Sequence, residues 1–296
     1  MAIPQDQLAT WAQIGAQATS RDTYASVRRA LLADGTGYHD KLYSIFLQGS
    51  YGNDTNIRRE SDVDVVIQLD SVFTYELGAL PPMQQLAFHT GLVYATYSYE
   101  EYRADVLAAL RRVFGDAVEP GTKAVSIGPS GNRRKADVLI AMQHRNYLRH
   151  TGGVDSIYVE GISFHKSDET QVVNYPRQHR ENLVAKNQAT NEWFKHIVRI
   201  FKNARERMIA QGLLAEGVAP SYYIEGLLYN VPTYCFGNTY QATVFACLNW
   251  LCNVDRTAFL CANAQYALLN GGVDVTWNSR DCDAFLRAFL LLWNGW

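Results

Sequence analysis

The chain of 296 residues has no long apolar run. No stretch approaches the roughly 20 consecutive apolar residues that cross a bilayer. The N-terminus also lacks the basic segment followed by an apolar run that marks a secretion signal. We therefore expect a cytoplasmic protein that does not enter a membrane.

The cysteines lack the spacing of a metal site. None forms a C-x-x-C pair, and no histidine follows His196. Zinc sites usually have such paired ligands, so the spacing gives no support for a zinc site. The pattern instead predicts reduced thiols buried in helices, at Cys235, Cys247, Cys252, Cys261 and Cys282.

An excess of charge of one sign is also missing. Lys and Arg total 27 against 29 Asp and Glu, which gives a formal net charge of −2. A chain so balanced is not a general nucleic-acid binder. Residues 177–207 depart from this average, with eight Lys or Arg and three Glu. This local basic charge predicts a small polyanionic substrate bound in a cleft.

The spacing of hydrophobic residues predicts an α+β chain whose two halves differ in secondary structure. Residues 1–175 mix helical and strand patterns, and residues 176–296 are predicted to be helical. The predicted strands cover 43–48, 63–69, 123–128, 135–142 and 157–164, with the third and fourth forming a hairpin. Single helices are predicted over 83–114 and 181–210, and another between Pro220 and Pro232.

The segment FLQGSYGNDTNIRRESDVDVVIQLD, residues 46–70, holds the strongest chemical pattern. A strand ends in Gly49-Ser50, and eleven residues intervene before Asp62 and Asp64, which stand at the head of an apolar strand. Alternate residues of a strand point to the same side, so the two carboxylates project together.

A third carboxylate, Asp137, lies in the strand KADVLIAM, which could lie alongside. Three carboxylates at one sheet edge repel one another, and a divalent cation bound between them removes this unfavourable electrostatic energy. Hard oxygen ligands suit Mg²⁺, with Mn²⁺ as the alternative ion. The pattern therefore predicts that Asp62, Asp64 and Asp137 are metal ligands and catalytic residues. Two such ions can activate a hydroxyl and stabilise departing pyrophosphate.

Residues around the Gly-Ser turn have the chemistry of a phosphate site. Gly49 has no side chain and lets the backbone approach a phosphate closely. The Ser50 hydroxyl and nearby amide N–H groups can donate to phosphate oxygens. We also assign Gln48 and Thr55 to the predicted nucleotide- and phosphate-binding set.

Each part of this pattern alone has an ordinary structural explanation. A lone D-x-D at a strand edge is usually a solvated pair, and a lone Gly-Ser is usually a turn. The ordered combination of strand, Gly-Ser, spacer, D-x-D and later strand aspartate is far more specific, and it favours catalysis.

This combination resembles the active-site signature of the DNA polymerase β-type nucleotidyltransferase superfamily. The form GSYGNDTNIRRESDVDVV is more similar to the cGAS/DncV-like nucleotidyltransferases of bacterial anti-phage (CBASS) systems, nearest to the clade called CdnE. KADVLIAM resembles the strand with that family's third carboxylate. NYPRQHRENLVAKNQ, FKHIVRIFKNAR and PSYYIEGLLYNVP resemble its later landmarks, so the resemblance covers about residues 40–235.

The resemblance implies a polymerase β-like catalytic lobe, with a mixed sheet and helices, and a C-terminal helical bundle that closes the nucleotide cleft. It also implies that Lys202 and Ser221 contact the triphosphate of the donor nucleotide and that Tyr222 stacks on a nucleobase. From the residues alone, Lys202 could equally belong to a solvated basic helix face and Tyr222 to the core.

The implied activity is synthesis of a cyclic di- or oligonucleotide second messenger from NTPs, with release of pyrophosphate. Cyclic UMP–AMP or cyclic di-UMP, made from UTP with or without ATP, is the favoured product, and purine products stay open. We expect a downstream effector that binds the product and no DNA activator. The chain then acts as a monomer or under control of a partner protein.

Two rival functions stay open at this point. One is a polymerase β-like transferase that modifies RNA, a protein or a small molecule. The other is an inactive nucleotide-binding scaffold, against which the presence of all three carboxylates argues.

Overall fold

The structure is a computed structural model that describes residues 2–15, 17–58, 62–152 and 155–296. The chain divides into two compact units. The sheet unit comprises Ala18–Gln48 and Asp62–Pro176, and the helical unit comprises Met1–Gln17, Gly49–Ser61 and Arg177–Trp296. The helical unit therefore includes two segments from the first 175 residues. The expected functional division at residue 175 stays a prediction.

In the described ranges, the sheet unit forms one seven-stranded mixed sheet. Its strands are β1 (Tyr43–Leu47), β2 (Val63–Glu76), β3 (Val118–Pro120), β4 (Val125–Ile127), β5 (Ala136–Arg149), β6 (Ile157–His165) and β7 (Gln171–Asn174). The order is β1-β2-β5-β4-β3, with β6 also beside β5 and β7 beside β6. β2 and β5 run parallel, and the other pairs are antiparallel.

The α-helices of the described ranges lie in both units. They are α1 (Gln5–Trp11), α2 (Ala18–Leu31), α3 (Gly49–Gly52), α4 (Pro82–Gly91), α5 (Tyr99–Phe114), α6 (Pro176–Ala189), α7 (Trp193–Ala210), α8 (Ser221–Tyr229), α9 (Tyr240–Asn253) and α10 (Ser279–Asn294). None of them is both long and apolar enough to cross a bilayer. The predicted α+β class, a mixed sheet plus a C-terminal helical domain, is confirmed. The predicted cleft stays a prediction.

The strands predicted from alternating hydrophobicity are confirmed. The predicted hairpin is the antiparallel pair of β4 and β5, in which Val125 lies opposite Val138. β2 continues beyond the predicted end to Glu76, after an irregularity in its pairing with β5 between Leu69 and Phe73. β3 and β7 were not predicted, because strands of three and four residues carry too little periodicity.

The single helix predicted over 83–114 is wrong, because the chain forms α4 and α5 with a break between them. Ser98 begins the second helix with a reciprocal cap. Its hydroxyl accepts a hydrogen bond from Glu101 N at 3.1 Å, and its own amide donates to Glu101 Oε2 at 2.7 Å. This cap satisfies backbone amides at the new helix start that have no partner within the helix.

The helix predicted over 181–210 is also two helices, α6 and α7. Asn191 and Glu192 between them have φ angles of 47° and 68°. These values lie in the left-handed region, which a right-handed helix cannot pass through. Asparagine tolerates that conformation better than most residues, and this is the sequence signal for the break.

A hydrophobic core holds the helices of the helical unit together. Phe194, Ile197 and Phe201 of α7 are fully buried in it, and the ring of Phe201 lies 4.7 Å from that of Phe289 in α10. Each such side chain contributes roughly 1.5–3 kcal/mol by its burial. α7 is therefore a fixed support for the polar side chains that it carries.

The cysteines are all free, as predicted. Four are buried, at Cys235, Cys247, Cys261 and Cys282. Cys252 is exposed, so the expectation of burial is wrong there. It lies on α9, whose solvent-facing side it shares with exposed Phe245.

His144 in β5 makes the stability of the sheet unit depend on pH. Its side chain is buried, with Nδ1 2.9 Å from Thr74 Oγ1 and Nε2 3.8 Å from Glu76 Oε1. Burial lowers the pKa of His144 to about 4. The unfolded chain, with a histidine pKa of about 6.5, binds the proton more tightly. His144 thus contributes stability above pH 6.5 that is lost as the pH falls through 4.

We predict that this group lowers the free energy of unfolding by about 3 kcal/mol between pH 7 and pH 4. Denaturant titrations across this range should show a flatter acid slope for His144→Gln than for the wild type. The exposed His89 offers a matched control, and His89→Gln should keep the wild-type slope. Equal slopes for His144→Gln and the wild type would refute the assignment.

Candidate active site

Asp64 and Asp137 lie side by side at the start of the two parallel strands. The register of β2 and β5 pairs Asp64 with Asp137, and the flanking positions Val63 and Ala136 are also paired. Both flanking residues are fully buried, whereas both aspartates are partly exposed. Because side chains alternate along a strand, the two carboxylates project from the same face of the sheet. The expectation that the Asp137 strand lies alongside is confirmed.

Lys135 connects Asp137 to the remaining predicted carboxylate, Asp62. Its Nζ lies 3.0 Å from Asp62 Oδ2 and 3.0 Å from Asp137 Oδ2. Burial alone would lower the pKa of Lys135, but its hydrogen bonds to Asp137 and Asp62 raise it. The ammonium is thus held in its charged form between two carboxylates.

This cluster has the donor chemistry of a divalent-cation site. Within the described ranges, no three His, Cys, Asp or Glu side chains are arranged to hold a metal ion. A positive charge nevertheless lies between Asp62 and Asp137, and it is the ammonium of Lys135. The carboxylates therefore attract a cation, and their hard oxygens suit Mg²⁺. The chemistry of these oxygens therefore suits the ion, although their present arrangement is not that of a three-ligand group.

Gln48 and Gly49 form the turn after β1. The Gln48 amide donates to Asp64 O at 3.0 Å, which fixes the end of β1 against β2. Gly49 has φ of +65°, where a side chain would be strained. The sequence signal at Gly49 thus has a conformational cause in addition to the predicted close approach of a phosphate. Residues 59–61 of the predicted spacer lie outside the described ranges.

Three predicted residues of the helical unit, Ser50, Thr55 and Lys202, meet in one cluster. Lys202 is fully buried, and its Nζ donates to Ser50 Oγ at 2.8 Å and to Thr55 Oγ1 at 3.2 Å. A third hydrogen bond, of 2.9 Å, goes to Glu225 Oε1. The solvated basic helix face that was the alternative for Lys202 is therefore wrong, because Arg199 and Lys202 are both buried.

Ser221 and Tyr222 begin α8. The hydroxyl of Ser221 accepts a hydrogen bond from Arg205 Nη1 at 3.0 Å. The Tyr222 ring stacks on His179, with centroids 4.8 Å apart and planes 19° apart. Its hydroxyl accepts from Asn263 Nδ2 at 3.1 Å, and burial raises its pKa. One face of Tyr222 is thus already covered, so the predicted base stacking has to use the other face.

The sequence reasoning missed Lys135 and Glu225. Lys135 stands two residues before a predicted ligand, a position without a motif of its own. Glu225 had a readable signal, because it is the one charged residue in the otherwise uncharged helix SYYIEGLLY. A charge among apolar helix residues is seldom buried without a partner, and so it points to a polar cluster.

Comparison with known proteins identifies the family of the chain. A family model, the cGAS/DncV-like nucleotidyltransferase C-terminal helical domain, matches residues 181–294. The cyclic UMP-AMP synthase of Rhodothermus marinus is 41% identical over 298 residues, covering 100% of this chain and 99% of that protein. The chain belongs to the cGAS/DncV-like nucleotidyltransferases.

Solved structures narrow this class. The R. marinus CdnE c-UMP-AMP synthase with Apcpp and Upnpp superposes with a TM-score of 0.89 at 40% identity, covering 99% of this chain and 97% of that one. The Elizabethkingia meningoseptica CdnE cyclic dinucleotide synthase with GTP and Apcpp gives 0.78 at 27% identity, covering 99% and 100%. Within the family the chain falls in the CdnE clade, and it is a nucleotidyltransferase that makes cyclic dinucleotides.

Lys135 should compete with a divalent cation for Asp62 and Asp137. In Lys135→Gln the ammonium is gone, so Mg²⁺ should raise the thermal midpoint at a concentration roughly fivefold lower, the equivalent of about 1 kcal/mol. The measurement is a thermal-shift titration with Mg²⁺ in the absence of nucleotide. Lys123→Gln, at an exposed lysine of the sheet unit, should respond like the wild type. An unchanged Mg²⁺ response in Lys135→Gln would contradict the competition.

Proposed function

We propose that this chain joins two NTPs into a cyclic dinucleotide in a Mg²⁺-dependent reaction at Asp62, Asp64 and Asp137. The observation that carries the proposal is the parallel register that places Asp64 beside Asp137, with Asp62 joined to Asp137 through Lys135. Mg²⁺, or Mn²⁺ in its place, would neutralise the triphosphate and lower the pKa of the attacking hydroxyl.

Asp137 is the proposed general base. A ribose hydroxyl of one nucleotide attacks the α-phosphorus of the other, and its proton passes to the Asp137 carboxylate. Mg²⁺ held by the three carboxylates would supply the positive charge that makes this hydroxyl more acidic. The bond from that phosphorus to the β-phosphate oxygen breaks, and pyrophosphate leaves. A second attack of the same kind closes the ring. The partly exposed position of Asp137 on the sheet face is compatible with contact to a nucleotide.

The turn after β1 and the first residues of α8 are the proposed phosphate side of the site. Gln48, Gly49, Ser50 and Thr55 belong to it because the turn leaves backbone amides and hydroxyls near one another. We assign Lys202 and Ser221 to the same set. Tyr222 is the proposed base-stacking residue, through the face that His179 does not cover.

The proposed product is cyclic UMP–AMP, made from ATP and UTP. Support comes from the R. marinus relative of that activity, which aligns over 100% of this chain. The structure of the E. meningoseptica relative contains GTP and Apcpp, which keeps purine products as the alternative. Cyclic di-UMP is the further pyrimidine product that we consider.

The proposed biological role is signalling in bacterial anti-phage defence. The cyclic product would bind a downstream effector, and the enzyme would act in the cytoplasm without a DNA activator. It would be a monomer with basal activity, or one controlled by a partner protein. These points rest on the family resemblance.

Loss of the strand carboxylates should abolish synthesis. Asp62→Asn and Asp64→Asn keep the size of each side chain but remove its charge, so product should fall by at least about 100-fold. The assay incubates each protein with the four labelled NTPs and Mg²⁺ or Mn²⁺ and counts small products resistant to phosphatase. Asp116→Asn, at an exposed aspartate of the sheet unit, should retain activity. Activity that persists in Asp62→Asn and Asp64→Asn would contradict the proposed mechanism. Elongated RNA, or no product from the wild type, would favour a rival function.

Base choice is tested with NTPs in pairs. If the product is cyclic UMP–AMP, ATP with UTP should yield a resistant product that carries label from both nucleotides in equal amounts. The product should have the mass of the two nucleotides after loss of two pyrophosphates. A product from GTP and ATP alone, with UTP unused, would replace the proposed product with a purine one.

A further inference from the structure

Glu225 is the centre of the polar cluster in the helical unit. Its side chain is 2% exposed, on the apolar helix α8. Removing a carboxylate from water is costly unless charges and hydrogen bonds replace the water. The surroundings of Glu225 supply both.

Each carboxylate oxygen of Glu225 accepts two hydrogen bonds. Oε1 accepts from Lys202 Nζ at 2.9 Å and Thr55 Oγ1 at 2.5 Å. Oε2 accepts from His179 Nε2 at 2.7 Å and Asn53 Nδ2 at 3.2 Å. These four bonds fill the usual acceptor sites of a carboxylate. Burial alone would raise the pKa of Glu225, but the Lys202 ammonium and the His179 hydrogen bond hold it well below its ordinary value.

Lys202 is saturated in the same arrangement. An ammonium group has three donor hydrogens, and the Lys202 ammonium already has at least three acceptors, in Ser50, Thr55 and Glu225. Direct contact with a phosphate would therefore cost Lys202 one of these bonds. The side chain has little room to turn, because it is fully buried.

Ser50 is the side chain through which this cluster can act on a ligand. Its Oγ accepts the hydrogen bond from Lys202. A hydroxyl that accepts in this way keeps its own hydrogen for donation, and a nearby ammonium makes that hydrogen a better donor. A phosphate oxygen is the matching acceptor.

We propose that Glu225 is a positioning residue of the nucleotide site, which holds Lys202 so that the Ser50 hydroxyl is directed to donate to the triphosphate. The inference rests on the proposed phosphate role of Ser50. Lys202 then acts on the triphosphate through Ser50 in addition to the contact proposed for it above. The other oxygen of Glu225 holds His179, on which Tyr222 stacks, so one carboxylate fixes both the proposed phosphate and base contacts.

The test removes both buried charges together. Glu225→Gln alone would leave the Lys202 ammonium buried without its partner and would destabilise the fold. The double variant Glu225→Gln/Lys202→Met removes the pair, and its thermal midpoint should stay near that of the wild type. Its KM for NTPs should rise about tenfold with kcat little changed, because the lost contact exists in the ground state and transition state alike. Glu216→Gln, at an exposed glutamate of the helical unit, is the matched control.

A double-mutant cycle separates positioning from a merely structural role. Ser50→Ala should raise KM about tenfold in the wild type and by a clearly smaller factor in the double variant, because Glu225 and Lys202 act in part through that hydroxyl. Additive effects would overturn the proposal. Glu225→Asp keeps the charge but shortens its reach, so it should raise KM in the same direction by a smaller factor. An unchanged KM in Glu225→Asp would also count against it.

Binding of a non-hydrolysable ATP analogue, measured by calorimetry, gives a readout independent of catalysis. If the wild type is active and the double variant has the same affinity and KM as the wild type, the role of Glu225 is overturned and the proposed function still holds. A wild type that neither binds the analogue nor makes product would overturn both.

Discussion

The parallel pairing of β2 and β5 is the constraint on which the catalytic geometry depends. Parallel strands need a long crossover, and here the chain between β2 and β5 supplies α4, α5, β3 and β4. The pairing holds from Val63 to Leu69 without a shift, so the first residues of both strands keep their register. A shift of one residue would turn Asp137 to the other face of the sheet and separate it from Asp64.

The same alignment creates an electrostatic problem, because it concentrates negative charge at one sheet edge. Lys135 reduces that repulsion through the ion pairs with Asp62 and Asp137. These groups are partly exposed, so each pair contributes no more than about 1 kcal/mol. A weak internal counter-ion of this kind compensates the cluster and can still yield to a divalent cation. The ion pair of Lys202 with Glu225 is the opposite case, since it is buried and every donor and acceptor is satisfied. Such a pair fixes geometry more than it adds stability.

The sequence predicted the features that depend on local pattern. The turn residues between β4 and β5 predicted the hairpin that the structure contains. Alternation also predicted one shared face for Asp62 and Asp64, which stays a prediction. Prediction from the sequence failed where a few backbone angles determine the structure. The positive φ angles of Asn191 and Glu192 divide the predicted long helix into two. Prediction from the sequence also could not find contacts between residues distant in the chain, such as Thr55 with Glu225. Contacts of that kind are set by tertiary packing, and tertiary packing leaves no periodic pattern of residues along the sequence.

The central claim is that Asp137 completes a metal site with the D-x-D pair. The most direct measurement counts bound Mn²⁺ by electron paramagnetic resonance in the presence of a non-hydrolysable ATP analogue. The wild type should bind Mn²⁺, and Asp137→Asn should bind fewer ions or bind them at least about tenfold more weakly, because one hard oxygen ligand is lost. Undiminished Mn²⁺ binding by Asp137→Asn would contradict the account.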